Sequence, residues 1–294
     1  MKTLVVVTGP TGSGKTALAV DLAERLGTEI VSADSRQMYQ GIPIGTAVPS
    51  AEERARVRHH LLEFLPLDGY YSAARFEEDA LRLLDEIWQS RDVAVVCGGS
   101  MMYVDALTRG IDDLPTISDA VRSEVKALYD AEGVDAVVAE LRRLDPVYLQ
   151  GADPANHRRL VHALEICREA GVAYSSLRTG RAKERPFRIV KMAIEMSRDE
   201  LFCRINRRVD LMVERGLFDE AMPLYPLRHL NSLNTVGYKE IFAMMEGRLS
   251  RDEAISRIAK NTRVYAKKQM LWLRKDPGVV MVSGLADALA AVRL

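Results

Sequence analysis

The segment Gly9-Pro10-Thr11-Gly12-Ser13-Gly14-Lys15-Thr16, lying directly behind the apolar run Leu4-Val5-Val6-Val7, limits this chain more than any other feature. It matches G-x-x-x-x-G-K-[ST] in a strand-loop-helix setting, with Ala17–Arg25 reading as the helix. Glycines let the backbone turn tightly and aim successive N–H groups at phosphate oxygens. Lys15 adds a mobile cation, and Thr16 offers a hydroxyl to Mg²⁺. The expected ligand is a diphosphate or polyphosphate, and the expected scaffold is the sheet that such a loop serves. A turn that merely joined two elements would not call for Lys and Thr at these two places.

The 294 residues suffice for one large core with an insertion, or for two domains. Lys plus Arg and Asp plus Glu stand at 41 each, so no global basic excess advertises a nucleic acid, and any such surface must come from local segregation of charge. Hydrophobic residues at 48% and charged ones at 28% exclude disorder. Cys97, Cys167 and Cys203 are isolated and odd in number, which excludes a disulfide framework and a zinc site and makes them core thiols in a reducing compartment. No apolar run approaches the length of a membrane span, and the chain enters the phosphate-loop strand almost at once. A soluble, unexported, cytoplasmic protein with no membrane partner is expected.

Apolar runs at Leu4–Val7, Ile30–Ala33, Val93–Cys97 and Ile189–Ile194 alternate with helical periodicity, as in Ala73–Trp88. That is the pattern of a parallel sheet covered on both faces. The fold class is therefore α/β, a P-loop NTPase-like parallel sheet flanked by helices. Between about Asp112 and Arg185 the pattern turns to helix after helix, at Val121–Ala131, Val134–Leu144 and Asn156–Ala170, with breaks at Gly133, Pro146, Pro154 and Gly171. Because Phe187–Met196 reads as another strand, residues 112–185 are expected to be a helical insertion domain in a core made of 1–111 and 186–294. Helices resume from Asp199 to Lys275, interrupted around Pro223–Asn234, and Gly278–Val282 reads as a closing strand.

Asp34, in Ser32-Ala33-Asp34-Ser35-Arg36-Gln37-Met38-Tyr39, ends the second apolar run at the crevice where open α/β sheets bind ligands. It either holds Mg²⁺ through water, or accepts a proton from a nucleophile, or caps a helix. Cys97-Gly98-Gly99-Ser100 ends the run Val93–Cys97, where paired glycines permit close approach of a ligand and Ser100 points into the same crevice. Arg204 and Arg208, one helical turn apart, offer forked hydrogen bonds to a departing phosphate group or else pair with Glu200 and Asp210. Along Asn261–Lys275, Lys260, Arg263, Lys267 and Arg274 share one side of a helix while Ile258, Tyr265 and Trp272 take the other. From Arg251 to Asp276 eight basic residues meet three acidic ones, which suits either a solvated face or a phosphate backbone.

Taken together, GPTGSGKT, SADSRQMY, GIPIGTAVP, HHLLEF, YSAARFEEDA, CGGSMMY, PANHRRLVHALE, RVDLMVERGL, NTVGYKE and TRVYAKKQMLWLR resemble the bacterial tRNA dimethylallyltransferase family along nearly the whole chain. The resemblance implies that Gly9–Thr16 binds the diphosphate of dimethylallyl diphosphate, and that the prenyl group passes to N6 of the flipped-out adenosine 3′ of the tRNA anticodon, A37. It implies Asp34 as general base, Ser100 near the reaction centre, and Arg208 with Lys15, and Mg²⁺ near Thr16, on the leaving diphosphate. It places tRNA contacts at Asp34, Ser35, Arg36 and Gln37, at Ser100 and Arg122, at Arg158, Arg159 and His162, at Gly237, Tyr238 and Lys239, and at Lys267, Lys268, Gln269, Trp272 and Arg274. The partner is the anticodon stem-loop, met by a monomer. Three positions depart from the family: Val48 for a lysine, His162 for an arginine, and Ser100 for a threonine. The competing reading, on the first two motifs, is an ATP-binding small-molecule or nucleotide kinase.

Overall fold

A strand buried on both faces needs apolar side chains at every position, and the phosphate-loop strand has them: Leu4 and Val6 pack on one side of the sheet, Val5 and Val7 on the other. A computed structural model describes residues 1–293. The chain runs β1 (Thr3–Thr8), α1 (Lys15–Leu26), β2 (Ile30–Ser32), α2 (Pro43–Thr46), α3 (Ala51–Arg56), β3 (His59–His60), α4 (Ala73–Trp88), β4 (Val93–Gly98) and α5 (Met101–Arg109). It continues through α6 (Asp119–Leu144), α7 (Pro146–Gly151), α8 (His157–Ala170), α9 (Tyr174–Leu177) and β5 (Arg188–Ile194). The last part holds α10 (Arg198–Glu214), α11 (Leu217–Ala221), two 3₁₀ turns, α12 (Tyr238–Met245), α13 (Arg251–Leu273), β6 (Val279–Val282) and α14 (Leu285–Arg293).

Among the described residues six strands form one sheet in the order β3-β2-β4-β1-β5-β6, with every neighbouring pair parallel. The two central strands of the site, β1 and β4, run in register from Thr3 opposite Val93 to Thr8 opposite Gly98. Their carboxyl ends therefore finish side by side, and β2 finishes beside them with Ser32 opposite Cys97. The crevice of an open parallel sheet lies there, at the strand ends where the order reverses. Helices α1 and α14 cover one face through Leu18, Leu22, Ala288 and Val292. Helices α4, α5 and α12 cover the other through Phe76, Leu84, Leu107 and Ile241. The fold is a P-loop NTPase-like α/β sheet. Among the described residues no helix is long and apolar enough to cross a membrane.

The chain divides into two compact units, one of 1–109 with 185–294 and one of 110–184. The smaller is all helical, with Val125, Val137, Leu141, Leu160 and Leu164 forming its core. Gly133, at φ +77°, ψ −171°, breaks α6 into two stretches. Cys167 is buried as expected, but Cys97 is only half-buried and Cys203 is exposed on α10, so the three thiols are not all core residues. The reason is helical: Leu201 and Ile205 turn inward from α10, and position 203 falls on the opposite side.

Candidate active site

The phosphate loop leaves β1 and enters α1 at Lys15 by way of Gly14 at φ +89°, a left-handed conformation that favours glycine. A Cβ on Gly12 would come within 2.8 Å of Ile205, and one on Gly14 within 2.7 Å of the Arg204 guanidinium, so α10 lies directly against the loop. Ser13 Oγ is buried and has no hydrogen-bond partner. An unpaired buried hydroxyl costs about 1–3 kcal/mol, a cost that a phosphate oxygen accepting its proton would remove. Lys15 Nζ reaches Pro10 O at 3.5 Å. Burial pulls its pKa down, against the opposing pull of Cys97 and Asp34, and Arg208 adds to the lowering. A bound anion reverses that lowering by favouring the charged ammonium. Beneath the loop the Cys97 thiol donates to Lys15 O at 3.7 Å, and burial pushes its pKa up to about 11, so it stays protonated and is no nucleophile.

Asp34 stands two residues past β2. Its Oδ1 accepts the backbone N–H of Arg36 at 2.9 Å and of Gln37 at 3.4 Å, capping a turn and leaving Oδ2 without a hydrogen bond among the described residues. Ser35 and Arg36 follow on that turn; Arg36 Nη1 donates to Asn231 O at 2.8 Å, and Gln37 Nε2 donates to Ala47 O at 2.7 Å, fixing the 41–48 segment beside the crevice.

The glycine pair and Ser100 behave differently from expectation. A Cβ on Gly98 would lie 2.1 Å from Ala33 O, and one on Gly99 would lie 2.4 Å from Gln269 Nε2. It is the chain's own backbone and side chain, not a ligand, that approaches these glycines. Ser100 is 8% exposed; its Oγ accepts from Ser35 N at 2.8 Å and donates to Ser35 Oγ at 3.1 Å. It braces the turn that carries Asp34 and does not itself line the cavity. Gly98→Ala is expected to destabilise the fold by about 3 kcal/mol or more, since the clash is with backbone that cannot swing away. Thermal unfolding checks this, and an unchanged midpoint would contradict the packing.

From α10, Arg208 Nη1 donates to Thr11 Oγ1 at 3.0 Å, and burial draws the guanidinium pKa down while Asp34 opposes. Arg204 lies over Gly14, half-exposed, with Glu200 Oε1 at 4.0 Å. Arg208 faces the same cavity as Asp34; Arg204 opens to the outer side of the loop.

Helix α13 closes the cavity. Its buried seam runs through Ala254, Ile258, Ala266 and Gln269, so Tyr265 and Trp272, expected on the apolar side, sit at the seam's edge. Tyr265 is 40% exposed and lines the cavity, while Trp272 Nε1 donates to Asp105 Oδ2 at 3.0 Å. On the far side, Arg263 is hydrogen-bonded to Asn206, and the Lys267 ammonium sits 5.6 Å from the centre of the Phe202 ring; Lys260, Lys267, Lys268 and Arg274 are exposed. Gln269 and Tyr238, both expected as tRNA contacts, are 3% and 0% exposed. Each has its polar atoms engaged inside the chain, Gln269 with Thr11 and Gly99 and Tyr238 with Glu220 and Ile42. They are internal braces. Gly237 is buried and Lys239 exposed on the loop before and at the start of α12. Buried Glu240 ties that loop to α13, taking Gly237 N–H at 2.8 Å and Asn261 Nδ2 at 2.6 Å.

In all, Thr11, Lys15, Thr16, Asp34, Arg208, Tyr265 and Lys268 share one cavity of about 510 Å³. The sequence reading missed Tyr265, Glu240 and Asn261; a glutamate preceding the apolar run 241–245 on a short helix was the available sign of the second. In the smaller unit, Arg158, Arg159 and His162 are exposed on α8, with His162 Nδ1 3.4 Å from Glu165, and Arg122 Nε donates to Ile117 O at 3.4 Å.

A parallel sheet with a phosphate loop, a carboxylate at the adjoining strand end and an arginine of α10 hydrogen-bonded to the loop define a group-transfer enzyme of P-loop type. A family model described as IPP transferase matches residues 37–276. The chain is 50% identical over 279 residues to tRNA dimethylallyltransferase 2 of Parabacteroides distasonis, covering 95% of this chain and 93% of that one. It is 52% identical over 274 residues to tRNA dimethylallyltransferase 2 of Porphyromonas gingivalis, covering 93% and 91%. The solved tRNA isopentenylpyrophosphate transferase of Bacillus halodurans superposes with a TM-score of 0.69 at 37% identity, over 96% of this chain and 90% of that one. A eukaryotic dimethylallyltransferase, described in crystallographic snapshots as acting on tRNA, gives 0.78 at 25% identity, over 93% and 70%. The chain belongs to the IPP transferase family.

Proposed function

We propose that the protein transfers the dimethylallyl group of dimethylallyl diphosphate to N6 of the adenosine 3′ of the tRNA anticodon, A37, releasing diphosphate. The observation that carries the reading is the sharing of one cavity by the loop residues Thr11, Lys15 and Thr16, by Asp34 and Arg208, and by Tyr265 and Lys268 of the basic helix. A bond forms between N6 and the first prenyl carbon as the bond from that carbon to the diphosphate oxygen breaks. The N6 proton goes to Oδ2 of Asp34, the oxygen that the turn leaves unused. Loop N–H groups, the Ser13 hydroxyl, Lys15 and Arg208 take up the charge that develops on the leaving diphosphate.

Among the described residues no three His, Cys, Asp or Glu side chains converge on a metal position. The Thr16 hydroxyl, which lines the cavity beside Lys15, would serve as the protein ligand of a Mg²⁺ that keeps several waters and is held chiefly by substrate phosphates. When bound, the ion supplies further neutralisation of diphosphate charge. The RNA is proposed to meet Ser35, Arg36 and Gln37, Lys239, and Lys267, Lys268, Trp272 and Arg274 in the larger unit, and Arg122, Arg158, Arg159 and His162 in the helical insertion. The enzyme works as a monomer in the cytoplasm, where its substrates are.

Replacing Lys267 and Arg274 with Ala is expected to weaken tRNA binding and to flatten the plot of log affinity against log salt by about 0.7–0.9 for each phosphate that is no longer neutralised. An unchanged slope in a titration series would make the stripe an ordinary solvated face. The reading itself is tested by supplying unmodified tRNA and Mg²⁺ with prenyl-labelled dimethylallyl diphosphate, or with γ-labelled ATP. Label on the RNA from the first donor alone is expected; transfer from ATP to a small acceptor would make the protein a kinase.

A further inference from the structure

The side chain of Gln269 is held more tightly than a helix surface residue needs to be. It is 3% exposed, and both of its amide atoms bridge distant parts of the chain. Oε1 accepts the backbone N–H of Thr11 at 2.8 Å, and Nε2 donates to Gly99 O at 2.8 Å. Thr11 belongs to the phosphate loop and Gly99 to the turn at the end of β4, so one side chain of α13 joins two of the segments that form the crevice floor. The fit is close: any Cβ at position 99 would fall 2.4 Å from Nε2. One turn further along, Trp272 Nε1 holds Asp105 of α5 at 3.0 Å and keeps the same helix in register.

Two consequences follow from this wiring. The Thr11 N–H is a loop donor whose direction is set by α13. The Thr11 hydroxyl in turn accepts from Arg208 Nη1 at 3.0 Å, so the guanidinium that faces the diphosphate is aimed through Thr11. Gln269 lies on the side of α13 opposite Lys260, Lys267 and Arg274, at about 100° per residue. One fixed pair of hydrogen bonds therefore joins the helix that carries the basic stripe to the phosphate loop, a physical link between two distinct sites.

We infer that Gln269 is a positioning residue that couples occupancy of the basic face of α13 to the geometry of the phosphate loop, so that RNA and diphosphate bind cooperatively. The inference rests on the transfer reading for the identity of the two ligands. Its test is binding of inorganic diphosphate with Mg²⁺, in the presence and absence of a synthetic anticodon stem-loop. Wild-type protein is expected to bind diphosphate about fivefold or more tightly when saturated with stem-loop. In Q269L that enhancement falls to about twofold or less, while the stem-loop alone binds as it does to wild type.

Q269E separates coupling from mere packing and serves if Q269L does not fold. Protonated, the new carboxyl can accept from Thr11 N–H and donate to Gly99 O; ionised, it can only accept, and it faces a carbonyl oxygen. Coupling in Q269E is therefore expected at low pH and lost as pH rises, relative to wild type measured over the same range. Undiminished coupling in folded Q269L, absence of coupling in wild type, or a Q269E enhancement that tracks wild type at every pH would overturn the inference. Failure of the transfer reading looks different: wild type would then leave tRNA adenosine unmodified, whatever the diphosphate titrations show.

Discussion

Asp34→Ala is expected to lower kcat for prenyl transfer by about 10²–10⁴-fold, the range that a positioned general base contributes, and to leave diphosphate affinity nearly unchanged. The separation follows from the structure, since Asp34 contacts its own turn through Oδ1 and makes no hydrogen bond to the loop. Asp34→Asn tests the role more sharply, because the amide can still cap the turn but cannot take a proton. Single-turnover rates with saturating diphosphate donor and tRNA read the chemical step directly. Turnover retained in Asp34→Asn would remove the residue from the base role and make it a turn cap.

Arg208→Ala is expected to cost about 10²–10³-fold in kcat, comparable to removing one preorganised donor from a developing anion. Its guanidinium is drawn out of water beside Thr11, and burial pulls its pKa down while Asp34 holds it up. Arg208→Lys keeps a charge but loses the two-pronged planar donor, so a partial recovery is expected. Arg204→Ala is the matched control. That side chain is half-exposed and 4.0 Å from Glu200, so its loss should raise the donor KM by about tenfold at most and change kcat little. Equal losses from the two variants in steady-state kinetics would contradict the distinction.

The strands were legible in the sequence because the sheet is buried on both faces, which turns β1 and β4 into unbroken apolar runs. Gly133 and Gly171 were legible as breaks because each takes a left-handed conformation. The two-residue strand at His59–His60 was not, having neither length nor apolar pattern, and the strand order was not, since it depends on pairings between segments far apart in the chain. At the site, the phosphate loop and Asp34 were readable because strand ends and spacing alone place them. Gly98 and Gly99 were misread for a definite reason: glycine signals close approach but not what approaches, and here it is Ala33 and Gln269. Gln269 and Tyr238 were expected as tRNA contacts because the resemblance assigns whole segments and does not say which side chains in them turn inward; the seam of α13 and the core beneath α12 enclose these two.

Prenyl transfer to A37 is decided by nucleoside mass spectrometry of unmodified tRNA after incubation with the protein, Mg²⁺ and dimethylallyl diphosphate, alongside the same tRNA with A37 replaced by G. One dimethylallyl mass added to adenosine is expected in the first tRNA and none in the second. A prenyl mass on another nucleoside, or equal modification of both tRNAs, would contradict the proposed reaction.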